Sequence, residues 1–489
     1  MRSEILLESQ KKLDEEIRAL EKRIISLRTS RNALALINRL PMEILTEIFA
    51  CVQASYNCFQ MVKWLRVAHV CKNWRTISFS SRNLWSTLPT HRVKYAKVAA
   101  QLSYPHPVSI TNPGRVSESR GLSEEALNIF LPLLQRARKV AASGLTGSTF
   151  AKALQNAPSD FSQLQEIEFS FVRMPLETSP FPKSLRCLNL SWTQFRWSWL
   201  KLDHLTELHL THVPAVTVSS FWGYMSQIPR LSSLEIYHIF STPGFEPEVL
   251  THSPHSSSLL ELRSLGIKDR LSYVTEFLAG IRFEGKFMLT AELYLKDVSL
   301  GDIVHFSQSI SHLLQGSQRD IRSILLEGHE ILELSASECV DSSPFLVLRA
   351  DLPDPTVATW LTEIQKFPLG DLQKLSTNLI KDPLTWWVCR FGNLPNLYEL
   401  VLLDDKSSRS FINYLAAETK LAKYSDNWND TRVSFATLKK VTFQGVHHRE
   451  RNIRNLTSSL KERGEETTRV QLCEMAEKVT VTVIDGAEA

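Results

Sequence analysis

The residues best able to do chemistry in this chain are its seven cysteines and 14 histidines. Their spacing supports no reaction. Cys51, Cys58, Cys71, Cys187, Cys339, Cys389 and Cys473 stand apart, with no C-x-x-C pair to hold zinc or begin a disulfide framework. His447-His448 precede Arg449-Glu450-Arg451, and His252 and His255 sit in a serine- and proline-rich stretch. Neither pair has a third ligand at useful spacing, so both read as solvated turns. Cys71 lies inside an apolar pattern, where a thiol packs as a small hydrophobe. There is no phosphate-binding glycine loop, no G-x-S-x-G and no H-E-x-x-H. No catalytic residue, cofactor or metal is therefore expected, and an enzyme built on this chain is the weakest reading. Trp192, Trp197 and Trp199, and separately Trp386 and Trp387, form aromatic clusters whose default use is core packing and whose alternative is anchoring a partner.

Function must then be sought in surfaces. At 489 residues, 43% apolar and 22% charged, the chain is ordinary soluble material and long enough for more than one unit. A formal charge of +4 is small for this length and argues against nucleic acid or an anionic membrane as main partner. No apolar run reaches spanning length and no secretory leader is evident, which leads us to expect a cytoplasmic or nuclear protein. Isolated cysteines suit such a reducing compartment.

The densest pattern runs from Leu36 to Leu88. Pro41 can open a helix because its missing N–H would be unpaired there anyway. Ile44, Leu45, Ile48, Phe49 and Val52 then fall on one helical stripe, and Trp64, Val67, Ala68, Cys71, Trp74 and Ile77 form a second periodic set. Two or three short helices could pack on one another, yet so small a segment is a marginal core, and a partner covering its open edge would stabilise it. Leu40-Pro41-x-Glu43-Ile44-Leu45-x-x-Ile48-Phe49, then Val70-Cys71-Lys72-x-Trp74-Arg75, then Leu84-Trp85, resembles an F-box. The resemblance implies a three-helix fold that binds a Skp-type adaptor and, through it, a cullin scaffold of a ubiquitin ligase. Matched by position, Leu40, Pro41, Ile44, Leu45, Ile48 and Phe49 would face the adaptor. Val70, Cys71, Trp74, Arg75, Leu84 and Trp85 would divide between adaptor contact and internal packing. The gap between Phe49 and Val67 is long for the family, holds the inserted Tyr56-Asn57-Cys58, and resembles the F-box-like variants of fungi.

Around this segment the chain is read as four parts. Residues 1–35 carry Leu6, Gln10, Leu13, Ile17, Leu20, Ile24 and Leu27 at alternating steps of four and three, the mark of a coiled-coil or packed helix. It reads equally as a dimerising helix, making a homodimer, and as one that folds back on its own chain. Residues 36–88 are the F-box. Residues 89–160 are a linker and helical cap, with breaker clusters before Gly114 and an amphipathic helix expected over 123–140. Residues 161–489 repeat themselves. Leu164-x-x-Ile167-x-Phe169, Leu185-x-x-Leu188-x-Leu190, Leu205-x-x-Leu208-x-Leu210, Leu231-x-x-Leu234-x-Ile236 and Leu262-x-x-Leu265-x-Ile267 come first. Thr290-x-x-Leu293-x-Leu295 is a weaker copy, and Ile321, Leu397 and Leu438 open three more. Phe345–Leu348 and Leu372–Leu375 read as eroded copies, and Lys478–Ile484 as a capping strand. The last two apolar positions of each copy point to one side of a strand, and each unit leaves an edge that the next one buries.

The fold expected is α/β: an N-terminal helix plus a three-helix F-box, then an irregular leucine-rich-repeat solenoid, an arc or horseshoe. The asparagine usual in such repeats is replaced by Thr193 and Val213, so no continuous asparagine ladder is expected. Helical spacing over 218–228, 274–281 and 303–314 supplies the convex side, and 241–258 and 335–355 read as loops. This arrangement resembles the leucine-rich-repeat class of F-box proteins, which implies a receptor that holds a protein substrate beside a ubiquitin-charged enzyme. Cys187, Asn189, Ser191, Glu207, His209, Thr211, Glu235 and Tyr237 would line its concave face. The alternative is a non-ligase scaffold that dimerises through its N-terminal helix.

Overall fold

The computed structural model of the chain describes residues 2–57, 59–112, 122–156, 161–174, 179–240, 262–281, 286–294, 298–316, 320–328, 332–339, 342–350, 363, 367–378, 394–403, 407, 410–411, 413, 440–444 and 480–484. They fall in two compact units, Met1–Trp199 and Leu200–Ala489, each taken by itself. Among the described residues no helix is long and apolar enough to cross a membrane. His252, His255, His447, His448, Trp386, Trp387, Cys58, Cys389, Cys473 and the 241–258 loop lie outside the described residues.

The first unit opens with α1, Arg2–Ala33. It lacks glycine and proline and is rich in leucine, glutamate, lysine and arginine, all good helix formers. A 3-10 turn at Leu36–Arg39 leads to α2, Met42–Ala54. Pro41 precedes the first helical residue and is not itself inside the helix. A 3-10 segment, Met61–His69, and α3, Lys72–Ser80, complete the helical cluster. The middle segment is 3-10 because Met61, Trp64 and Val67, which it buries, recur every third residue, the period at which 3-10 side chains eclipse.

A parallel ladder follows at once. Strands β1 (Thr87–Pro89), β2 (Val108–Thr111), β3 (Ala137–Ser143), β4 (Glu166–Ser170) and β5 (Cys187–Ser191) pair in chain order. Helices α4 (Val93–Leu102), α5 (Glu124–Leu133) and α6 (Gly144–Asn156) lie between them in sequence. The sequence pattern showed no strand before Leu164, because β1 and β2 bury only two residues each and leave no leucine triplet. The helix expected over 123–140 is shorter. Ser123 caps it as expected, its hydroxyl accepting from the Ala126 N–H at 3.3 Å. It ends at Leu133, and 137–143 is strand, burying Ala137, Val140 and Ala142. Arg136, in the turn between, donates to the carbonyls of Ala100 (2.7 Å) and His106 (3.1 Å), satisfying the end of α4. Gly144 takes φ +54° where β3 passes straight into α6, a conformation only glycine adopts cheaply.

In the second unit the strand order is β6-β7-β8-β9-β12-β11-β10-β13-β14-β15-β16. The strands are β6 (Glu207–Thr211), β7 (Ser233–Tyr237), β8 (Ser264–Arg270), β9 (Met288–Tyr294), β10 (Ser323–Gly328), β11 (Leu332–Ser337), β12 (Leu346–Ala350), β13 (Lys374–Thr377), β14 (Glu399–Leu402), β15 (Lys440–Gln444) and β16 (Thr480–Ile484). Pairing is parallel except at β10–β11 and β11–β12. Helices α7 (Val218–Met225), α8 (Leu271–Ala279) and α9 (Leu300–Gly316) fall in the three stretches with helical spacing. Trp222 of α7 stacks on Phe277 of α8 at 4.5 Å. A Cβ at Gly280 would come within 2.8 Å of the Trp222 indole nitrogen, so glycine there lets the ring close.

The triplets set the register. Leu208 pairs with Leu234 and Leu234 with Leu265; Leu210 pairs with Ile236 and Ile236 with Ile267. All are buried. Two details differ from the sequence reading. Leu289 and Ala291, not Leu293 and Leu295, stand opposite Leu265 and Ile267, so the copy lies four residues earlier. The stretch read as a loop over 335–355 holds the end of β11 and all of β12. Leu346, Leu348 and Ala350 alternate inward there, a two-residue period hidden among the serines and prolines around it. Residues 351–355 lie outside the described residues.

The missing asparagines have substitutes. In the first unit the buried Thr193 hydroxyl lies 3.1 Å from the Phe169 carbonyl and 3.0 Å from that of Ser191. In the second, the Asp269 carboxylate accepts from the N–H groups of Ile239 (3.1 Å), Phe240 (3.2 Å) and Arg270 (2.8 Å). Burial pushes the Asp269 carboxyl above its ordinary value, against the pull of these backbone donors. Asp269→Ala orphans two buried N–H groups and is expected to cost about 1–3 kcal/mol in urea denaturation. Asp269→Asn keeps an acceptor and should cost far less. Because the folded carboxyl titrates above the unfolded one, its contribution is full below the ordinary aspartate range and is lost as pH rises through the folded value. The Asn variant should therefore gain on wild type as pH rises across that window.

Candidate functional site

The helical cluster shows two faces. On α2, Leu45 and Phe49 lie one turn apart and are wholly buried. Phe49 meets Trp74 at 5.0 Å. Trp64, Leu84 and Trp85 fill the rest, with Trp64 and Trp85 edge to face at 5.3 Å. Each buried polar tip is satisfied. The Trp85 indole donates to the Ser78 carbonyl at 2.7 Å and the Trp64 indole to the Tyr95 hydroxyl at 3.1 Å. Burial drives that phenol up to about 12. Gln53 donates to the Leu84 carbonyl at 3.0 Å, and Arg75 to that of Ala68 at 3.0 Å. Four residues expected at the adaptor contact or divided between contact and core, Leu45, Phe49, Leu84 and Trp85, are thus core residues. The physical reason is the 100° step of the helix: a stripe that includes both Ile44 and Leu45 is too wide to face one way, and the inner pair went to the aromatic cluster.

The outer face is bare. Leu40, Pro41 and Ile44 are exposed, Ile48 is half-buried one turn after Ile44, and Val70 is exposed just before α3. Ile44 keeps 47% of its surface in water and Val70 58%. Cys71 and Trp74 are half-buried and Arg75 is exposed. Sequence reasoning missed Leu36, Ile37 and Met42, which extend the apolar surface. It also missed Asn38. The Asn38 carboxamide accepts from the Trp74 indole at 2.6 Å and donates to the Asn32 carbonyl at 2.6 Å, tying the end of α1 to α3. A single asparagine carries no spacing signal, so only contacts reveal it.

The expected recognition residues fall on outward strand positions. In the first unit Cys187, Asn189 and Ser191 alternate with buried Leu188 and Leu190. In the second, Glu207 is exposed, while His209, Thr211, Glu235 and Tyr237 are half-buried. His209 Nδ1 lies 2.9 Å from Glu235 Oε2. Burial, then the nearby Glu235 and Glu292 carboxylates, raise the Tyr237 phenol. Register adds residues that the sequence reading left out. Thr211, Tyr237, Lys268, Glu292 and Arg349 stand side by side across β6, β7, β8, β9 and β12. Lys268 pairs with Glu292, and Arg349 reaches the same carboxylate at 3.5 Å. Burial would raise Glu292, but these two cations hold it below the usual range. The signal was present: each is the residue after the last apolar position of its repeat.

In four repeats the next position is strained. Phe171, Trp192, His212 and His238 all have φ near +50°, uncommon for side chains of this size. In the first unit Phe171 stacks on Trp192 with rings 5.9 Å apart, while Trp197 and Trp199 of the same cluster are buried. In the second His212 stacks on His238 at 4.5 Å, and Tyr294 lies 5.0 Å beyond. Burial and the neighbouring His212 keep the His238 imidazole easier to deprotonate than usual.

These two features define the class: a small helical domain with an open apolar edge, joined to parallel strands that carry outward polar rows. Residues 37–89 match the family model described as F-box-like, and that segment is an F-box-like domain. No curated protein matches the chain. Among solved structures, one described as "Crystal structure of Rad7 and Elc1 complex in yeast" is similar at 13% identity and a TM-score of 0.33, over 81% of this chain and 92% of that one. The two faces of α2 should separate in mutants. Phe49→Ala is expected to lower stability by about 3–5 kcal/mol, and Ile44→Ala by no more than about 0.5 kcal/mol, read by thermal denaturation.

Proposed function

We propose that this chain is the substrate-recognition subunit of a cullin–RING ubiquitin ligase. The observation that carries the reading is the exposed edge formed by Leu40, Pro41 and Ile44 on an F-box-like domain whose own core is already complete. An edge that the domain's fold does not need is an edge another polypeptide can cover. On this reading a Skp-type adaptor takes it, with Ile48, Val70, Cys71, Trp74 and Arg75 at its margin, and a cullin scaffold joins through the adaptor. Residues 89–160 link and cap, and residues 161–489 are the recognition region, an irregular leucine-rich-repeat arc. The strand positions Cys187, Asn189, Ser191, Glu207, His209, Thr211, Glu235 and Tyr237 then offer a protein substrate its contacts. Such a receptor performs no bond chemistry. It raises the local concentration of target lysines near the charged enzyme, a proximity effect. The working compartment is cytoplasmic or nuclear. Helix α1 serves to pair copies of the receptor.

A pull-down with purified Skp-type adaptor tests the docking. Wild type should retain it, and Leu40→Ala/Pro41→Ala/Ile44→Ala should lose at least about tenfold in affinity, since three apolar contacts at about 1–3 kcal/mol each are removed. Equal retention by both proteins, with unchanged thermal unfolding, would overturn the assignment.

A further inference from the structure

Helix α1 carries an apolar seam that no other described residue covers. Every residue from Leu7 to Arg31 is exposed. Leu13, Ile17, Leu20, Ile24 and Leu27 each leave 47–64% of their surface in water. Leucine recurs every seventh residue at 6, 13, 20, 27 and 34, with Ile17 and Ile24 midway. A seam repeating every 3.5 residues is what a coiled coil buries. The helix is 32 residues long, or roughly 48 Å at the standard rise, enough for several layers of packing.

The charges beside the seam choose the direction. One edge carries Asp14, Glu21 and Arg28, and the other Glu16 and Arg23. In a parallel pair in register, each edge residue meets the opposite edge of its partner five positions on. Glu16 would then face the second copy's Glu21, and Arg23 its Arg28. By symmetry that makes four like-charge contacts. Laid head to tail with Ile17 opposite Leu20, like edges meet instead. Glu16 faces Arg23 twice, and Arg28 comes within reach of Asp14. Asp14 beside Glu21, likewise met twice, is the unfavourable contact, against four in the parallel pair. The helix halves agree: residues 7–17 hold four acidic and two basic side chains, and residues 18–33 hold one acidic and five basic. Helix ends agree as well, since each acidic half would lie along the other copy's basic one.

We infer that α1 pairs with α1 of a second copy in antiparallel orientation, Glu16 of each against Arg23 of the other. The two F-box-like domains, which follow α1 in sequence, would then be held at opposite ends of the coil. This rests on reading α1 as the pairing element and not on adaptor docking.

Sedimentation of the full chain tests it. Wild type should dimerise in a concentration-dependent way, and Leu20→Asp should make it monomeric. Arg23→Glu and Glu16→Arg should each weaken the dimer, on the order of tenfold, because each turns two attractions into repulsions. The double variant should return to within about twofold of wild type. A parallel coil gives the opposite sign: each single reversal would replace a like-charge contact by an attraction and tighten the dimer. Tightening, a wild type that stays monomeric at tens of micromolar, or a dimer indifferent to Leu20→Asp would each overturn the inference. Adaptor retention by the Arg23→Glu variant separates this result from the docking assignment.

Discussion

A strand shows successive side chains to opposite faces, and a parallel ladder repeats that choice from strand to strand. This constraint fixes both the inside and the outside of each sheet. In the first unit it stacks Leu188 on Ile167, and it leaves Lys139 near Glu166 and Glu168 at 3.4 and 3.6 Å. In the second it stacks Leu234 on Leu208 and so places Tyr237, Lys268, Glu292 and Arg349 in one outward row. A slip of one residue would turn the outward polar side chains in and the buried apolar ones out. The leucines therefore specify the polar surface as firmly as they specify the core.

The same logic explains what could be read in the sequence. The triplets gave β4, β5, β6, β7, β8, β10, β14 and β15 because each strand carries its own apolar signature. The helical stretches between them were legible for the same reason. β1 and β2 were not, since three- and four-residue strands beside a helical domain hold too few inward positions to make a period. The antiparallel detour through β11 was hidden because pairing direction leaves no mark on composition. Leu293 misled where Leu289 was right: both fit a loose apolar template, and only the partner strand decides. Thr193 stands where such repeats usually carry asparagine and Asp269 one position before it, and their role depends on which backbone donors or carbonyls approach them.

The adaptor edge was half legible. Ordered apolar residues from Leu40 to Trp85 identified the domain, yet the pattern could not divide them between core and surface. Leu45 and Ile44 are neighbours with similar chemistry, and their fates differ by the helical step alone. What settles the matter is the aromatic demand of the core. Phe49, Trp64, Trp74 and Trp85 need flat apolar neighbours and a partner for each indole N–H, and that requirement turns the Leu45 side of α2 inward. Asn38 then orients the end of α1 through Trp74, so the edge and α1 share one anchor.

The outward rows bear on what a receptor of this kind could select. The Lys268–Glu292–Arg349 cluster is largely compensated and half exposed, and pairs of that sort contribute about 1 kcal/mol or less to stability. Its consequence is selectivity. A ligand ammonium competing for Glu292 leaves Lys268 and Arg349 without their shared carboxylate, whereas a ligand carboxylate competing for Lys268 leaves Glu292 still with Arg349. Neutral hydrogen-bonding groups meet neither cost. The aromatic pairs at the positive-φ positions, Phe171 on Trp192 in one unit and His212 on His238 in the other, add flat faces that accept apolar groups without a charge requirement. Backbone strain at those four residues is tolerated where the ladder within each unit holds the turn, which leaves their rings pre-set for contact. On the receptor reading, the row in the second unit therefore disfavours a cationic target segment more than a neutral or anionic one.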